Sequence, residues 1–187
     1  MELDLAPFFN VSLAEGYGEG QDLISLPTGL QSFAGLEFDV RGIVNVRGQQ
    51  VDPQHKEFPA KVEGIPMTNR CRLVHFLHSA HMAAEDGTRI GAYVFHMASG
   101  RKIEWPIVWG HTVHSFFWKP WRPRTLRTNC LAAWSGSNPL SQRKGAALWL
   151  YKTTWENPFP EERIDSIDFV SDLTPSPPFL VAITVEP

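Results

Sequence analysis

The sequence predicts an all-β protein, a sandwich or jelly roll built from short strands. Three observations carry this prediction. Fifteen Pro and fourteen Gly punctuate the 187 residues at short intervals and leave little room for long helices. Twelve Phe and seven Trp supply the ring side chains that pleated, half-buried surfaces favour. Several stretches alternate apolar and polar residues with the period of two that lays one face on a core.

Taken in order, LEFDVRGIVNVRG puts Phe38, Val40, Val44 and Val46 on one face and Glu37, Asp39, Arg41, Asn45 and Arg47 on the other. TRIGAYVFHMASGRKIEWPIVWG reads as a hairpin about Ala98-Ser99-Gly100, with Ile90, Tyr93 and Val94 on its first strand and Ile103, Trp105 and Ile107 on its second. HTVHSFFW alternates weakly, and CLAAW is a short apolar run ended by SGSNP. AALWLYKTTW sets Trp149, Tyr151 and Trp155 on one side. WENPFPEE is a proline-rich turn and RIDSIDFVS another short strand. PFLVAITVEP then carries Phe179, Val181, Ile183 and Val185 on one face. A total of about eight or nine strands, turning every ten or so residues, suits one sandwich. No repeat, linker or low-complexity stretch divides the chain, so residues 1–187 are expected to form one domain with adjacent terminal strands.

One segment supports two readings. RCRLVHFLHSAHMAAEDG has apolar residues at positions 73, 76, 77, 80, 83 and 84, a helical spacing that ends at a glycine. The choice decides what the histidines do. In a strand, His75 and His78 project to opposite faces. In a helix, residues three apart share a side, and His75 with His78 and Glu85 or His96 approximates a transition-metal set. The weaker metal alternative is His78, His81 and His96; His111 and His114 repeat the three-residue spacing.

Seventeen basic and twenty acidic residues are well mixed, so there is no basic stripe to neutralise a row of phosphates, and nucleic acid is not an expected partner. No apolar run approaches a membrane span of about 20 residues, so no membrane insertion is expected. MELDLAPFFN has neither the basic nor the apolar region of a signal peptide; an extracellular or periplasmic location stays open if such a segment has been trimmed. Cys71 and Cys130 are too few for a disulfide scaffold; buried thiols or a single bridge both fit.

The phrases LISLPTGLQSFAGLEFDVRGIVNV, CRLVHFLHSAH followed by DGTRIGAYVFHMASGRKIEWPIVWG, and WENPFPEERIDSIDFVS followed by PFLVAITVE resemble the galactose-binding-like jelly-roll domains of large bacterial proteins, often found beside sugar-active enzymes. The resemblance runs from about Leu3 to Glu186. It implies a two-sheet jelly roll, with CRLVHFLH as a central strand and SAHMAAEDG as the loop into the hairpin; the strand reading is adopted on this ground. It also implies a non-catalytic, lectin-like module, with a saccharide as ligand and a multidomain parent protein. Such jelly rolls often hold a structural calcium ion. Glu85, Asp86 and Gly87 form the only compact acidic loop beside a strand, and two carboxylates fall short of a full shell, so no ion or other cofactor is expected.

A saccharide site needs an exposed aromatic plate flanked by directional hydrogen-bond donors. FFWKPWRPRTLRTN offers Trp118, Trp121, Arg122, Arg124 and Asn129 around two prolines, with Trp121 as the stacking residue. The competing readings are a protein–protein adhesion domain and a His-dependent metal enzyme. Asp39, Glu104, Glu156, Asp165 and Asp168 are candidate acids, but no nucleophile elbow, zinc-protease motif or phosphate loop accompanies them.

Overall fold

The structure is a computed structural model that describes residues 1–16, 20–49, 58–119 and 129–187. After a 3-10 turn at Ala6–Phe8, the chain forms β1 (Gly29–Phe33), β2 (Leu36–Val40), β3 (Val44–Asn45) and β4 (Lys61–Asn69). β5 (Leu73–Ala80), β6 (Arg89–Met97), β7 (Lys102–Val108), β8 (Phe117–Trp118) and β9 (Cys130–Gly136) follow. A short helix, α1 (Pro139–Arg143), precedes β10 (Ala147–Glu156), β11 (Ile164–Ser171) and β12 (Pro178–Glu186).

The larger sheet runs β3-β12-β5-β10, with β8 and β9 both paired to β10. β5 and β8 share one edge of β10, at residues 151–156 and 147–148, while β9 takes the other along residues 148–153. The smaller sheet runs β4-β11-β6-β7 and is antiparallel throughout. β1 and β2 form a separate hairpin. Its turn, Ala34-Gly35, has φ of 49° and 81°, the left-handed pair that matches a two-residue turn to strand twist. The all-β sandwich expected from the sequence is present.

Its main core lies between the two sheets. Phe76 and Val74 of β5 and Tyr151 and Trp155 of β10 meet Tyr93 and Phe95 of β6 and Phe169 of β11. Phe76 stacks on Tyr93 at 3.8 Å and Phe95 on Trp155 at 3.7 Å between ring centroids. A second core covers the other face of the larger sheet, where Leu77, Leu150 and Val181 meet Phe33 and Phe38 of the β1–β2 hairpin and Leu23 and Leu26 ahead of it. The central strand β5 is thus buried on both faces, which removes polar residues from either side and erases the period of two. Its helix-like spacing is a by-product of that double burial.

Two sequence readings need correction. The run from Leu36 is not one strand with one inner face. It breaks after Val40, so that Phe38 and Val40 enter the second core while Val44 and Val46 enter the main one. Asn45, expected on the solvent face, is fully buried. In β12 the register against β5 shifts between Leu180 and Ala182, so Phe179 and Val181 face the second core and Ile183 and Val185 the main one. The extra residue of a bulge reverses the phase of every side chain beyond it.

The outer strands of the smaller sheet carry Pro66 in β4 and Pro106 in β7, residues that cannot donate to a further ladder. At the amino terminus, Leu3 N–H donates to the Ile183 carbonyl at 3.0 Å and the Met1 ammonium to that of Val185 at 2.9 Å. Residues 1–3 thus lie along β12, whereas the first strand, β1, pairs with β2 in the separate hairpin. Among the described residues no helix is long and apolar enough to cross a membrane.

Candidate functional site

The histidines separate once β5 is a strand. His75 and His78 turn to opposite faces: His75 Nδ1 pairs with Thr154 Oγ1 at 2.8 Å, and His78 meets Thr153 Oγ1 at 2.8 Å and the Tyr93 hydroxyl at 3.0 Å. The Thr112 carbonyl, 3.1 Å from His78 Nε2, can only accept, so Nε2 carries the proton and Tyr93 O–H donates to Nδ1. Burial pushes the His78 pKa down to about 4. His96 lies on the smaller sheet, with Nε2 2.7 Å from Asp168 Oδ2. His81 follows β5 and donates from Nε2 to Asn45 Oδ1 at 2.8 Å. The metal alternative of His78, His81 and His96 is therefore not assembled, because each ring serves a different part of the fold. Among the described residues no group of three or more His, Cys, Asp or Glu is placed to hold an ion.

Candidate acids are likewise dispersed. Asp39 pairs with Arg41, Glu104 with Arg89, Asp165 with Arg163 and Asp168 with His96. Cys71 and Cys130 are both buried and not bridged, and burial pushes the Cys71 thiol up to about 11.

Of the saccharide residues read from the sequence, Trp121, Arg122 and Arg124 lie outside the described residues. Trp118 is half-buried against the main core, 6.4 Å from the Trp109 ring and 6.3 Å from His114, at the rim of the core and not on an exposed plate. Asn129 is exposed. The structure does not bring these two together: Trp118 pairs with Ala147, whereas Cys130, next to Asn129, pairs with Thr153 on the opposite edge of β10. Six residues of strand correspond to about 20 Å.

A cleft of about 300 Å³ opens where β5 ends. Ala80 N–H donates to the His114 carbonyl at 3.0 Å and Phe116 N–H to that of Ala80 at 2.8 Å, which pins the Ser115–Phe117 stretch against the strand end. The opposite wall depends on Asn138, the N-cap of α1. Its Oδ1 accepts from Ser141 N–H at 2.8 Å, and its Nδ2 donates to the Gly20 carbonyl at 2.8 Å. That one buried amide ties Gln21 to α1 and its Leu140 and Lys144. Met82, Phe116, Phe117 and Leu140 dominate the apolar lining, and the polar lining includes Gln21, His81, Ser115 and Lys144.

Burial pushes His81 down to about 3, so it is neutral at ordinary pH, and it packs on Phe179 at 4.6 Å. Among the described residues of the lining, Lys144 is the charged side chain and no carboxylate joins it. Gln21 Oε1 is buried with no hydrogen-bond partner among the described residues. Such an arrangement can hold a small ligand by apolar contact and a few polar bonds. The chain matches no protein-family model and no curated protein. Sequence reasoning missed Gln21, Leu140 and Lys144. The Ser137-Asn138-Pro139 helix start was a legible signal, but its pairing with Gly20 is a contact across more than a hundred residues.

Proposed function

We propose that this protein is a non-catalytic carbohydrate-binding module that takes its ligand in the cleft at the end of β5, as the accessory domain of a sugar-active bacterial protein. The cleft carries the reading. Phe117 and Met82 offer apolar surface to the C–H face of a pyranose, and Gln21 Oε1 is an unspent acceptor for a hydroxyl. In the sequence, Trp121, Arg122 and Arg124 follow Phe117 by only a few positions. The strand orders β3-β12-β5-β10 and β4-β11-β6-β7, in which consecutive strands β3 to β6 alternate between sheets, support the jelly-roll reading and with it the galactose-binding-like resemblance.

A glycan array followed by calorimetric titration tests this. Binding of a defined saccharide, weakened at least about tenfold by Phe117→Ala and by Gln21→Ala, is the expected result. Silence across the array, or undiminished binding by both folded variants, overturns it.

A second reading, protein–protein adhesion, is favoured by β9. Among the described residues β9 pairs only with β10, and its sequence CLAAWSG has no charge and no proline to block strand addition. Leu131→Lys is expected to abolish any partner captured through this edge.

A further inference from the structure

We propose a second saccharide-binding surface: the turn that carries Phe159 is a stacking plate for neutral pyranosides, at the end of the sandwich opposite the cleft. This rests on the reading of the domain as a saccharide binder, but not on the cleft. Phe159 is 41% exposed, and among the described residues no other aromatic side chain is exposed to that degree. Among the described residues the other rings are buried or half-buried, so this one calls for a physical reason.

The turn is held in place from below. Asn157, itself buried, donates from Nδ2 to the Cys71 carbonyl at 2.9 Å, accepts from Phe159 N–H through Oδ1 at 2.9 Å, and donates its backbone N–H to the Arg72 carbonyl at 2.8 Å. Glu162 N–H donates to the Phe159 carbonyl at 2.9 Å, and Glu162 Oε1 accepts from Ser99 N–H at 3.2 Å. The Arg101 guanidinium lies 3.8 Å over the Phe159 ring and 3.7 Å from Glu162 Oε2. Arg101 thus caps one face of the ring and fixes it before any ligand arrives, so that only the remaining exposed ring surface is offered to a ligand and the ordering cost that a mobile side chain would add to binding is removed.

The ring borders an open depression of about 490 Å³, lined by Arg101, Phe159, Pro160, Glu161 and Glu162. Phe159 and Pro160 present apolar surface for a pyranose C–H face. Arg101 is a planar donor, and Glu161 and Glu162 accept hydroxyl protons. One cation against two carboxylates leaves the lining at −1, which repels uronates and sulfated sugars and admits neutral ones. Because this turn is tied to residues 71 and 72, just before β5, and the cleft lies beyond Ala80, the two surfaces are about 25 Å apart along the strand. One domain would then grip a polysaccharide at two places.

The test is an NMR titration of the isotope-labelled chain with neutral oligosaccharides of glucose, xylose and mannose, and with oligogalacturonate. The expected result is a set of shifts at Ser99, Arg101, Phe159 and Glu162 with a neutral sugar. Phe159→Ala is expected to weaken these at least about tenfold, and Phe159→Tyr to keep them. Phe159→Leu, which retains apolar bulk but not the aromatic face, is expected to behave like Phe159→Ala. Shifts confined to Met82, Phe117 and Lys144 refute the second surface while leaving the cleft reading intact. Shifts at neither place refute both. A preference of this turn for oligogalacturonate, or full binding by Phe159→Leu, also refutes the inference.

Discussion

Acidification from pH 6.5 to 4.5 is expected to strip several kcal/mol from the folded state through His78 and His81. Both are buried and neutral. Burial holds the folded pKa of His78 at about 4 and that of His81 at about 3, against an ordinary value of 6.5. A histidine with a lowered folded pKa stabilises the fold fully above its unfolded pKa. That contribution is lost as pH falls from 6.5 towards the folded value, because only the unfolded chain takes up the proton. Each pH unit inside the window costs about 1.4 kcal/mol per histidine. Two histidines over two units amount to about 5 kcal/mol, of the same order as the whole stability of a small domain. His75, lowered chiefly by burial, adds a loss of the same sign.

Urea unfolding at half-unit steps of pH measures the slope directly. His78→Gln and His81→Gln, which cannot take up a proton, are each expected to flatten it by about 1.4 kcal/mol per pH unit, whatever they cost at neutral pH. A wild-type stability that changes by less than about 1 kcal/mol over the window, or two variants that keep the full slope, would show that these rings are not held neutral by the fold.

Three further outcomes follow from packing. Gly91→Ala is expected to lower stability by about 2 to 4 kcal/mol in thermal unfolding, because a Cβ there would collide with the Val170 backbone carbonyl in the neighbouring strand; an unchanged melting temperature would disprove this register. Trp155→Ala removes a ring stacked on Phe95 in the main core and is expected to cost about 3 to 5 kcal/mol, read from the same scans. Iodoacetamide at pH 8 is expected to leave Cys71 unmodified in the native protein and to label it once urea unfolds the chain; rapid native labelling would contradict a thiol raised to about 11.

Local pattern was enough for those strands with one wet face. The hairpin of β6 and β7 and its turn at Ala98-Ser99-Gly100 stand where alternation placed them; Trp149, Tyr151 and Trp155 of β10 also share the main-core side, although Leu148 and Leu150 bury its other face. Alternation is a local consequence of one face meeting water, so a sequence displays it directly. Where both faces are dry, as in β5, the signal disappears, and a bulge as in β12 reverses it without any mark in composition. The candidate sites were less legible still. Exposure belongs to no residue type: Phe159 is open while Phe76 is sealed, and Asn45, polar and expected outside, is fully buried beside His81. The walls of the cleft come from Gln21, Phe117 and Lys144, which are remote in sequence and meet where Asn138 bonds back to Gly20 and Ala80 pins Phe116. Secondary structure follows from short-range stereochemistry and patterning, which the sequence by itself determined. Which side chains converge, and which of them water can reach, depends on how whole sheets pack, and only the tertiary structure decided that.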